Sequence, residues 1–408
     1  MKRWLVAAMH AALGLAACQT QPRGLEPGPV AALPGDLEMG PLWASRRQDA
    51  QALAPLERLA ATPDLGPEDR AAVLEALVGL CLRTADYPRG HRYARMQVEE
   101  LRAQGVQDTA AEEQTLAVLR VLDGQPAMGS EVRGGVIDVQ VDLAGLPRGG
   151  VKVNGTTQEM VLDTGASFST ITRSAAERLG LRFLPGEISV RSPSSDAVPA
   201  QMAMAERLEI WVGEYGAAAR FENVAFLVME DELLRFADGA YTIEAILGFP
   251  VLQHLGSLEW SRPEGEPQGM RLGFAPWLEK AGYESNLTVR GLRPVVAVTW
   301  RGETLHLLLD TGANRSLLNE RILERFPGLR EELDRAQYAG GGVGSDGSLR
   351  DGLRIPRLEL GVGQQTVTLE EVHLVPLSEE VDGYLGQDAL WSGKGYVLDF
   401  DAMKLRLL

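Results

Sequence analysis

The tetrapeptide Asp-Thr-Gly-Ala occurs twice in this chain of 408 residues, at residues 163–166 and again at residues 310–313. Each copy directly follows an apolar run, residues 160–162 in the first case and residues 307–309 in the second. A single copy can be a simple turn, because Asp and Gly both favour turns. Two copies in the same context instead predict a duplicated unit that brings the two aspartates to one place.

Other landmarks repeat in the same order around the two motifs. A strand and a turn precede each motif, and a polar segment that favours a helix follows it. An apolar pair with a glycine and then a final strand come later in each half. These paired landmarks are residues 151–155 and 298–302, 173–179 and 319–325, 245–249 and 383–387, and 270–274 and 404–408. Four landmarks at similar spacing indicate duplication rather than chance.

The spacing of apolar residues changes along the chain, which predicts structurally separate regions. In residues 41–126 apolar residues recur at helical spacing, most clearly in residues 71–80. Beyond residue 130 apolar and polar residues alternate, as in residues 136–143, which is typical of half-buried strands. We therefore expect a helical domain at residues 41–126 and two β-rich halves at residues 130–282 and 285–408.

The helical region leaves two alternatives open. A helix, a turn within residues 80–89 and a second helix in residues 91–101 resemble a tetratricopeptide-type hairpin. Only one such unit is clear, whereas stacked repeats usually need three or more units for stability. A small helical bundle is the alternative.

Residues 1–17 have the features of an export signal, because two basic residues precede a short apolar stretch. Residues 15–18, Leu-Ala-Ala-Cys, resemble the bacterial lipobox, which implies cleavage before Cys18 and a lipid on its thiol. Residues 18–40 are rich in Pro and Gly and predict a tether. The resemblance implies a membrane-anchored protein of the bacterial periplasm, and Gln19 favours the outer membrane over the inner one. An ordinary signal peptide is the alternative.

Charge and cysteine content narrow the possible partners. The formal net charge is −16, which argues against electrostatic binding to nucleic acid. The chain has two cysteines, and Cys81 lies in an apolar helical stretch where we expect it to be buried. No disulfide framework and no metal-ligand spacing of Cys or His is found, so we expect neither a metal nor another cofactor.

The doubled motif resembles those of the retropepsin-like and pepsin-like aspartic proteases. The pattern consists of two apolar residues, Asp-Thr-Gly-Ala, a flap region and then two apolar residues with a glycine. The resemblance implies a mainly β fold in which two similar retropepsin-like β-barrel halves form a pseudo-dimer within one chain. The small helical domain precedes these halves.

The resemblance also implies that Asp163 and Asp310 are the catalytic residues. Two carboxylates held close together share one proton, so one can activate water while the other polarises a peptide carbonyl. The residues that would support the two loops are Thr164, Gly165, Ala166, Ser167, Thr311, Gly312, Ala313 and Asn314. In relatives the threonine hydroxyls cross-link the loops. The residue after Ala, Ser167 or Asn314 here, either bonds the outer carboxylate oxygen or is an ordinary polar loop residue.

The flaps that would close over a substrate have one candidate in each half. These are residues 189–202, with a Pro- and Ser-rich tip, and the Gly-rich residues 340–347, for which a solvated loop is the alternative. We expect an aspartic endopeptidase that acts on a polypeptide substrate. The alternatives are a degenerate, peptide-binding lipoprotein and an adaptor that binds a protein partner through its helical domain.

Overall fold

The computed structural model describes residues 36–190, 197–236, 239–262, 269–275, 285–339, 349–377 and 381–408. Within these residues the helical region comes first. Its helices are α1 Asp36–Ser45, α2 Asp49–Ala60, α3 Pro67–Arg83, α4 Tyr87–Ala103 and α5 Ala110–Leu122. None of the helices in the described part of the chain is long and apolar enough to cross a bilayer.

The β region follows in two halves. The strands of the first half are β1 Gly129–Val132, β2 Gly135–Val141, β3 Pro147–Val153, β4 Thr156–Asp163, β5 Ser169–Thr172, β6 Arg182–Val190, β7 Val198–Trp211, β8 Ala217–Met229, β9 Arg235–Phe236, β10 Tyr241–Thr242, β11 Ala245–Gly248, β12 Ser257–Ser261 and β13 Gly269–Ala275. Those of the second half are β14 Leu287–Arg290, β15 Arg293–Trp300, β16 Glu303–Leu309, β17 Leu317–Asn319, β18 Asp334–Ala339, β19 Leu349–Val362, β20 Gln365–Val375, β21 Gly383–Leu385, β22 Gly395–Asp399 and β23 Lys404–Leu407.

Short helices interrupt the strands at matching places. The α-helices are α6 Arg173–Arg178, α7 Phe249–Leu252, α8 Ile322–Arg325 and α9 Gln387–Leu390, and 3₁₀ turns cover Asp231–Leu234, Gln253–Leu255 and Pro327–Glu332. Helices α6 and α8 fall in the two segments that the sequence predicts as helix-prone after each motif. The predicted mainly β fold in two halves, preceded by a helical region, is confirmed.

The two halves have the same strand order. In the first half the strands run β3-β4-β11-β5-β8-β7-β6, and in the second half β15-β16-β21-β17-β20-β19-β18. The hairpin turn before each motif is also the same, since Asn154-Gly155 and Arg301-Gly302 both have positive φ at both positions. That conformation matches the twist of tight two-residue hairpins. The duplication read from the sequence is therefore a duplication of the fold.

The last strands of the second half join the sheet of the first half. Strand β22 pairs antiparallel with β12, so that β13, β12, β22 and β23 lie side by side. At this junction the rings of Trp260 and Tyr396 stack with centroids 5.8 Å apart, and both side chains are fully buried. A continuous sheet therefore connects the halves and fixes their relative position.

The first helix begins earlier than the sequence predicts. The predicted tether extends to residue 40, but α1 starts at Asp36 and includes five residues of that range. The reason is local: the dense Pro and Gly pattern ends at residue 35, and Asp-Leu-Glu-Met follows.

Helices α3 and α4 form the predicted helix–turn–helix pair. The turn between them is closed by Asp86, whose side chain accepts a hydrogen bond from the backbone N–H of Arg89. Cys81 is buried in this pair, as expected, and burial raises the pKa of its thiol to about 12. The resemblance of the pair to a tetratricopeptide unit stays a prediction.

The helical region is packed firmly on the β region. Arg83 donates to the carbonyl oxygen of Gly291 in the second half at 2.9 Å, and also to Asp49 at 2.6 Å and to the Ala44 carbonyl at 3.0 Å. Apolar side chains of the helices also form one buried cluster with side chains of β6, β7 and β8. The helices therefore contact both halves of the β region.

Candidate active site

Each Asp-Thr-Gly-Ala loop follows a buried central strand. Asp163 ends β4, where β11 pairs with it in parallel and brings Gly248 opposite Asp163. Asp310 directly follows β16, where β21 lies in the equivalent position and pairs Leu385 with Leu309. Both strands are buried at these ends, where apolar residues lead up to each aspartate, which is typical of central strands.

The two aspartates meet at the centre of the β region. Their carboxyl groups lie close together, since each packs against the glycine of the opposite loop, and two carboxyls this close favour sharing one proton. Both residues are almost completely buried, with exposures of 1% for Asp163 and 0% for Asp310. The backbone N–H of Gly165 donates to Asp163 Oδ1 at 2.7 Å, and that of Gly312 donates to Asp310 Oδ1 at 2.9 Å. The sequence-predicted pair thus forms one compact site.

Gly165 and Gly312 make this close approach possible. A Cβ atom on Gly165 would lie 2.6 Å from Cγ of Asp310, and one on Gly312 would lie 2.3 Å from Cγ of Asp163. Neither glycine has a positive φ. The requirement for glycine therefore comes from the opposite aspartate rather than from the shape of the loop's own backbone.

Thr164 and Thr311 connect the loops beneath the carboxyls. The hydroxyl of Thr164 donates to the carbonyl oxygen of Leu309, and that of Thr311 donates to the carbonyl oxygen of Leu162, both at 2.7 Å. Each hydroxyl also accepts the backbone N–H of the other threonine. All of these groups are buried, so water does not compete with the bonds.

Burial dominates the electrostatics of the pair. It raises the pKa of Asp163 from 3.8 to about 6, because removing a carboxylate from water disfavours its charged form. Hydrogen bonds from the backbone of Gly165, from the Asp310 carboxyl and from the backbone of Ala166 and Gly312 lower this pKa again. The two carboxyls are coupled, so their titration belongs to the pair.

The remaining loop residues have different roles in the two halves. Ala166 and Ala313 are fully buried, and their carbonyl oxygens accept the backbone N–H groups of Phe249 and Gln387 at 2.9 and 2.8 Å. The hydroxyl of Ser167 is buried and has no hydrogen-bond partner in the described part of the chain. Asn314 instead donates to the carbonyl oxygen of Ala144 at 3.2 Å.

The structure adds a pair of serines that sequence reasoning missed. The hydroxyl of Ser169 accepts the backbone N–H of Gly248 at 3.2 Å, and that of Ser316 accepts the backbone N–H of Gly386 at 3.0 Å. These bonds tie each loop to the strand that crosses beside it. The available signal was that a serine stands at the same position after each Asp-Thr-Gly-Ala motif.

Other predicted features lie wholly or partly outside the described residues. The first flap candidate includes parts of the paired strands β6 and β7. Its residues 191–196 are not among the residues that the structure describes. The second candidate, residues 340–347, and the predicted lipidation site Cys18 are likewise not among them. Among the described residues, no group of three or more His, Cys, Asp or Glu side chains is placed to hold a metal ion.

Comparison with known proteins relates this site to a family. The model of a family described as aspartyl protease matches residues 150–251 and 296–389. Among solved structures, a retropepsin-like aspartic protease from Rickettsia conorii matches with 18% identity and a TM-score of 0.21, covering 36% of this chain and 94% of that protein. No curated protein gives a significant match. Each half of the β region, with its own Asp-Thr-Gly-Ala loop, therefore contains a segment that matches the aspartyl protease family.

Proposed function

We propose that this protein is an aspartic endopeptidase whose catalytic residues are Asp163 and Asp310. The observation that carries the proposal is the close approach of two buried carboxyl groups, each of which lies against the glycine of the opposite loop. Two carboxyls that share one proton provide an acid and a base in the same place, as peptide hydrolysis requires.

The reaction follows from that arrangement. The ionised carboxylate takes a proton from a water molecule as the water oxygen attacks the carbonyl carbon of the peptide. The protonated carboxyl donates its proton to the carbonyl oxygen, which becomes a hydroxyl in the tetrahedral intermediate. Breakdown of the intermediate transfers a proton to the leaving amine and restores the shared proton. Either aspartate can take either role, because the pair titrates as a unit.

The hydrogen bonds between the two catalytic loops suit this chemistry. The threonine hydroxyls fix both loops in the folded chain before a substrate binds, so little reorganisation is needed during the reaction. The substrate would be a polypeptide bound in extended form, since an extended backbone can pair with the edges of the β6–β7 and β18–β19 hairpins.

We further propose that the protein works at the periplasmic face of a bacterial membrane, held by a lipid on Cys18. The proposal rests on the sequence of residues 15–18 and on the export-signal features before it. Metabolic labelling with a palmitate analogue in a bacterial host tests it. Labelling of the native chain and its loss in Cys18→Ala would support the anchor, whereas an unlabelled, secreted native chain would contradict it.

The endopeptidase is tested with the full chain purified in detergent and an unfolded protein such as reduced casein as substrate. Cleavage should occur below about pH 6 and decline above it, because deprotonation of the pair removes the acid. Asp163→Asn and Asp310→Asn should each abolish cleavage, while a matched change at the exposed Asp138 should have no effect. Binding of casein without cleavage by the native chain would instead favour a degenerate protease.

A further inference from the structure

Gln387 binds the catalytic loop of the second half through both its side chain and its backbone. It is the first residue of α9 and is buried. Its side-chain Nε2 donates to the carbonyl oxygen of Thr311 at 2.7 Å, and its backbone N–H donates to the carbonyl oxygen of Ala313 at 2.8 Å. A carbonyl oxygen only accepts hydrogen bonds, so the amide nitrogen rather than the amide oxygen must face Thr311.

The side-chain bond ends on the peptide group that also supports Asp310. The carbonyl of Thr311 and the N–H of Gly312 belong to one planar peptide unit. That N–H donates to Asp310 Oδ1 at 2.9 Å. The amide of Gln387, this peptide unit and the Asp310 carboxyl therefore form a chain of two hydrogen bonds. In a buried chain of this kind each hydrogen bond polarises the next and strengthens it.

The catalytic loop of the first half lacks this side-chain contact. Phe249 occupies the position equivalent to Gln387, since each residue directly follows the glycine of the apolar element in its half. A phenyl ring has no N–H or O–H group, so Phe249 cannot donate to the carbonyl oxygen of Thr164. Its ring packs edge-on against Phe400 instead, with centroids 5.4 Å apart. The two loops therefore differ at this position, although their threonine and serine bonds are equivalent.

We propose that Gln387 is a positioning residue for Asp310, which acts through the Thr311–Gly312 peptide unit and stabilises the ionised form of Asp310 more than that of Asp163. The inference rests on the proposed endopeptidase activity and adds that its two carboxyls are not equal. The bond from Gln387 fixes the plane of the peptide unit and makes its N–H a stronger donor. A carboxyl group that accepts a stronger hydrogen bond is more stable in its charged form. The pair is thereby biased toward Asp310 as the carboxylate that takes the proton from water.

Two titratable groups lie next to Gln387 in the described part of the chain. The carboxyl group of Asp388 accepts the backbone N–H and the hydroxyl of Ser316, at 2.8 and 2.6 Å. The hydroxyl of Tyr396 lies beside the Gln387 amide, and burial raises its pKa far above its ordinary value, so it stays neutral. Both groups remain when Gln387 is replaced, so a comparison with the native residue isolates the amide.

The test is a carbon-13 NMR titration of the full chain, labelled at the aspartate carboxyl carbons, with each member of the pair studied alone. Asp163→Asn leaves Asp310 to titrate, and Asp310→Asn leaves Asp163. Each change is combined with Gln387→Met, which keeps the side-chain length but removes the donor, or with Gln387→Leu if the first variant does not fold. Gln253→Met is the matched control, because Gln253 is also buried but donates to the carbonyl oxygen of Pro250.

Gln387→Met should move the titration midpoint of Asp310 upward by about 0.5 pH unit, and that of Asp163 by less than half as much. A small movement is expected for Asp163 because, although burial dominates its raised pKa, the Gly312 N–H is the weakest of the hydrogen bonds that lower it. Gln253→Met should move neither midpoint.

Equal movements of the two midpoints, or an unchanged midpoint of Asp310, would overturn the role of Gln387 and leave the endopeptidase standing. The titration needs no cleavage. A native chain that fails to cleave casein would therefore overturn the endopeptidase, while the two midpoints would still decide the role of Gln387.

Discussion

Thr164 and Thr311 are joined by two reciprocal hydrogen bonds at the centre of the protein. The backbone N–H of Thr164 donates to the hydroxyl of Thr311 at 2.9 Å, and the backbone N–H of Thr311 donates to the hydroxyl of Thr164 at 3.1 Å. Both residues are fully buried directly below the two aspartates. The position of each carboxyl therefore depends on the loop of the opposite half.

Replacement of Thr164 by Val should weaken this connection. The change keeps the shape of the side chain but leaves the carbonyl of Leu309 and the N–H of Thr311 without their partner. Each buried group left in this way costs about 1–3 kcal/mol. Urea unfolding should show a loss of about 2–6 kcal/mol for the two groups together, and activity should also fall. Thr164→Ser keeps the hydroxyl and should behave like the native chain, so equal losses in both variants would contradict the role of the hydroxyl.

Replacement of Gly165 or Gly312 by Ala should separate the two carboxyls. The new methyl group would lie within 2.6 Å of Cγ of Asp310 or within 2.3 Å of Cγ of Asp163. A displacement of about 1 Å at a reacting group can cost about 100-fold in rate, so kcat/KM should fall by at least that factor. In the control Gly150→Ala, the new methyl group meets its nearest atom at an ordinary 3.9 Å. Native activity in Gly312→Ala would contradict the close packing of Gly312 against Asp163.

The stability of the protein should depend on pH through Asp163. Its pKa is raised by burial from 3.8 to about 6, so between these values the folded chain holds a proton that the unfolded chain has released. The free energy of unfolding therefore falls as pH rises through this window, by up to about 1.4 kcal/mol per pH unit from this group.

Asp163→Asn removes that contribution, so a comparison of this variant with the native chain measures it. Urea unfolding of both chains is measured from pH 4 to pH 7. The free energy of unfolding of the variant, relative to that of the native chain, should rise up to about pH 6 and then stay constant. Taking the difference cancels the carboxyl groups away from the pair, so it reports the titration of Asp163 together with its effect on Asp310. A difference that is constant across this range would show that the pKa of Asp163 is not raised.

Arg83 should be important for stability although it lies far from the carboxyls. Its side chain is 3% exposed and pairs with Asp49 while donating to Gly291 in the second half. Arg83→Met leaves Asp49 without its partner, and breaking such a buried pair costs about 3–5 kcal/mol. Arg95→Met breaks the exposed pair with Glu99 and should change stability by about 0.5 kcal/mol at most. Equal effects of the two changes on the urea midpoint would contradict the anchoring role of Arg83.

The sequence predicts the centre of the site well because its signals are local. Asp163 and Asp310 each stand directly after an apolar run and before Thr-Gly-Ala, so strand, loop and chemistry can be read from a few neighbouring residues. The helix-turn-helix of α3 and α4 is also local, with Pro67 at the start of its first helix and Asp86 closing the turn. Such patterns depend on backbone geometry that adjacent residues determine.

The remaining features depend on contacts between distant residues. The bond from Arg83 to Gly291 joins positions 208 residues apart, and no local pattern in α3 indicates its partner. The pairing of Trp260 with Tyr396 across β12 and β22 is similarly distant, so the continuous sheet was not predicted. Packing of this kind follows from the assembled fold rather than from periodicity.

The most direct test of the central claim is a double-mutant cycle on the two aspartates. The kcat/KM for a peptide substrate is measured for the native chain, Asp163→Asn, Asp310→Asn and the double variant. If the carboxyls act as one unit, each single variant should lose at least about 1000-fold, and the double variant should be no less active than either single one. Substantial activity in one single variant, or losses that multiply in the double variant, would show that Asp163 and Asp310 act independently.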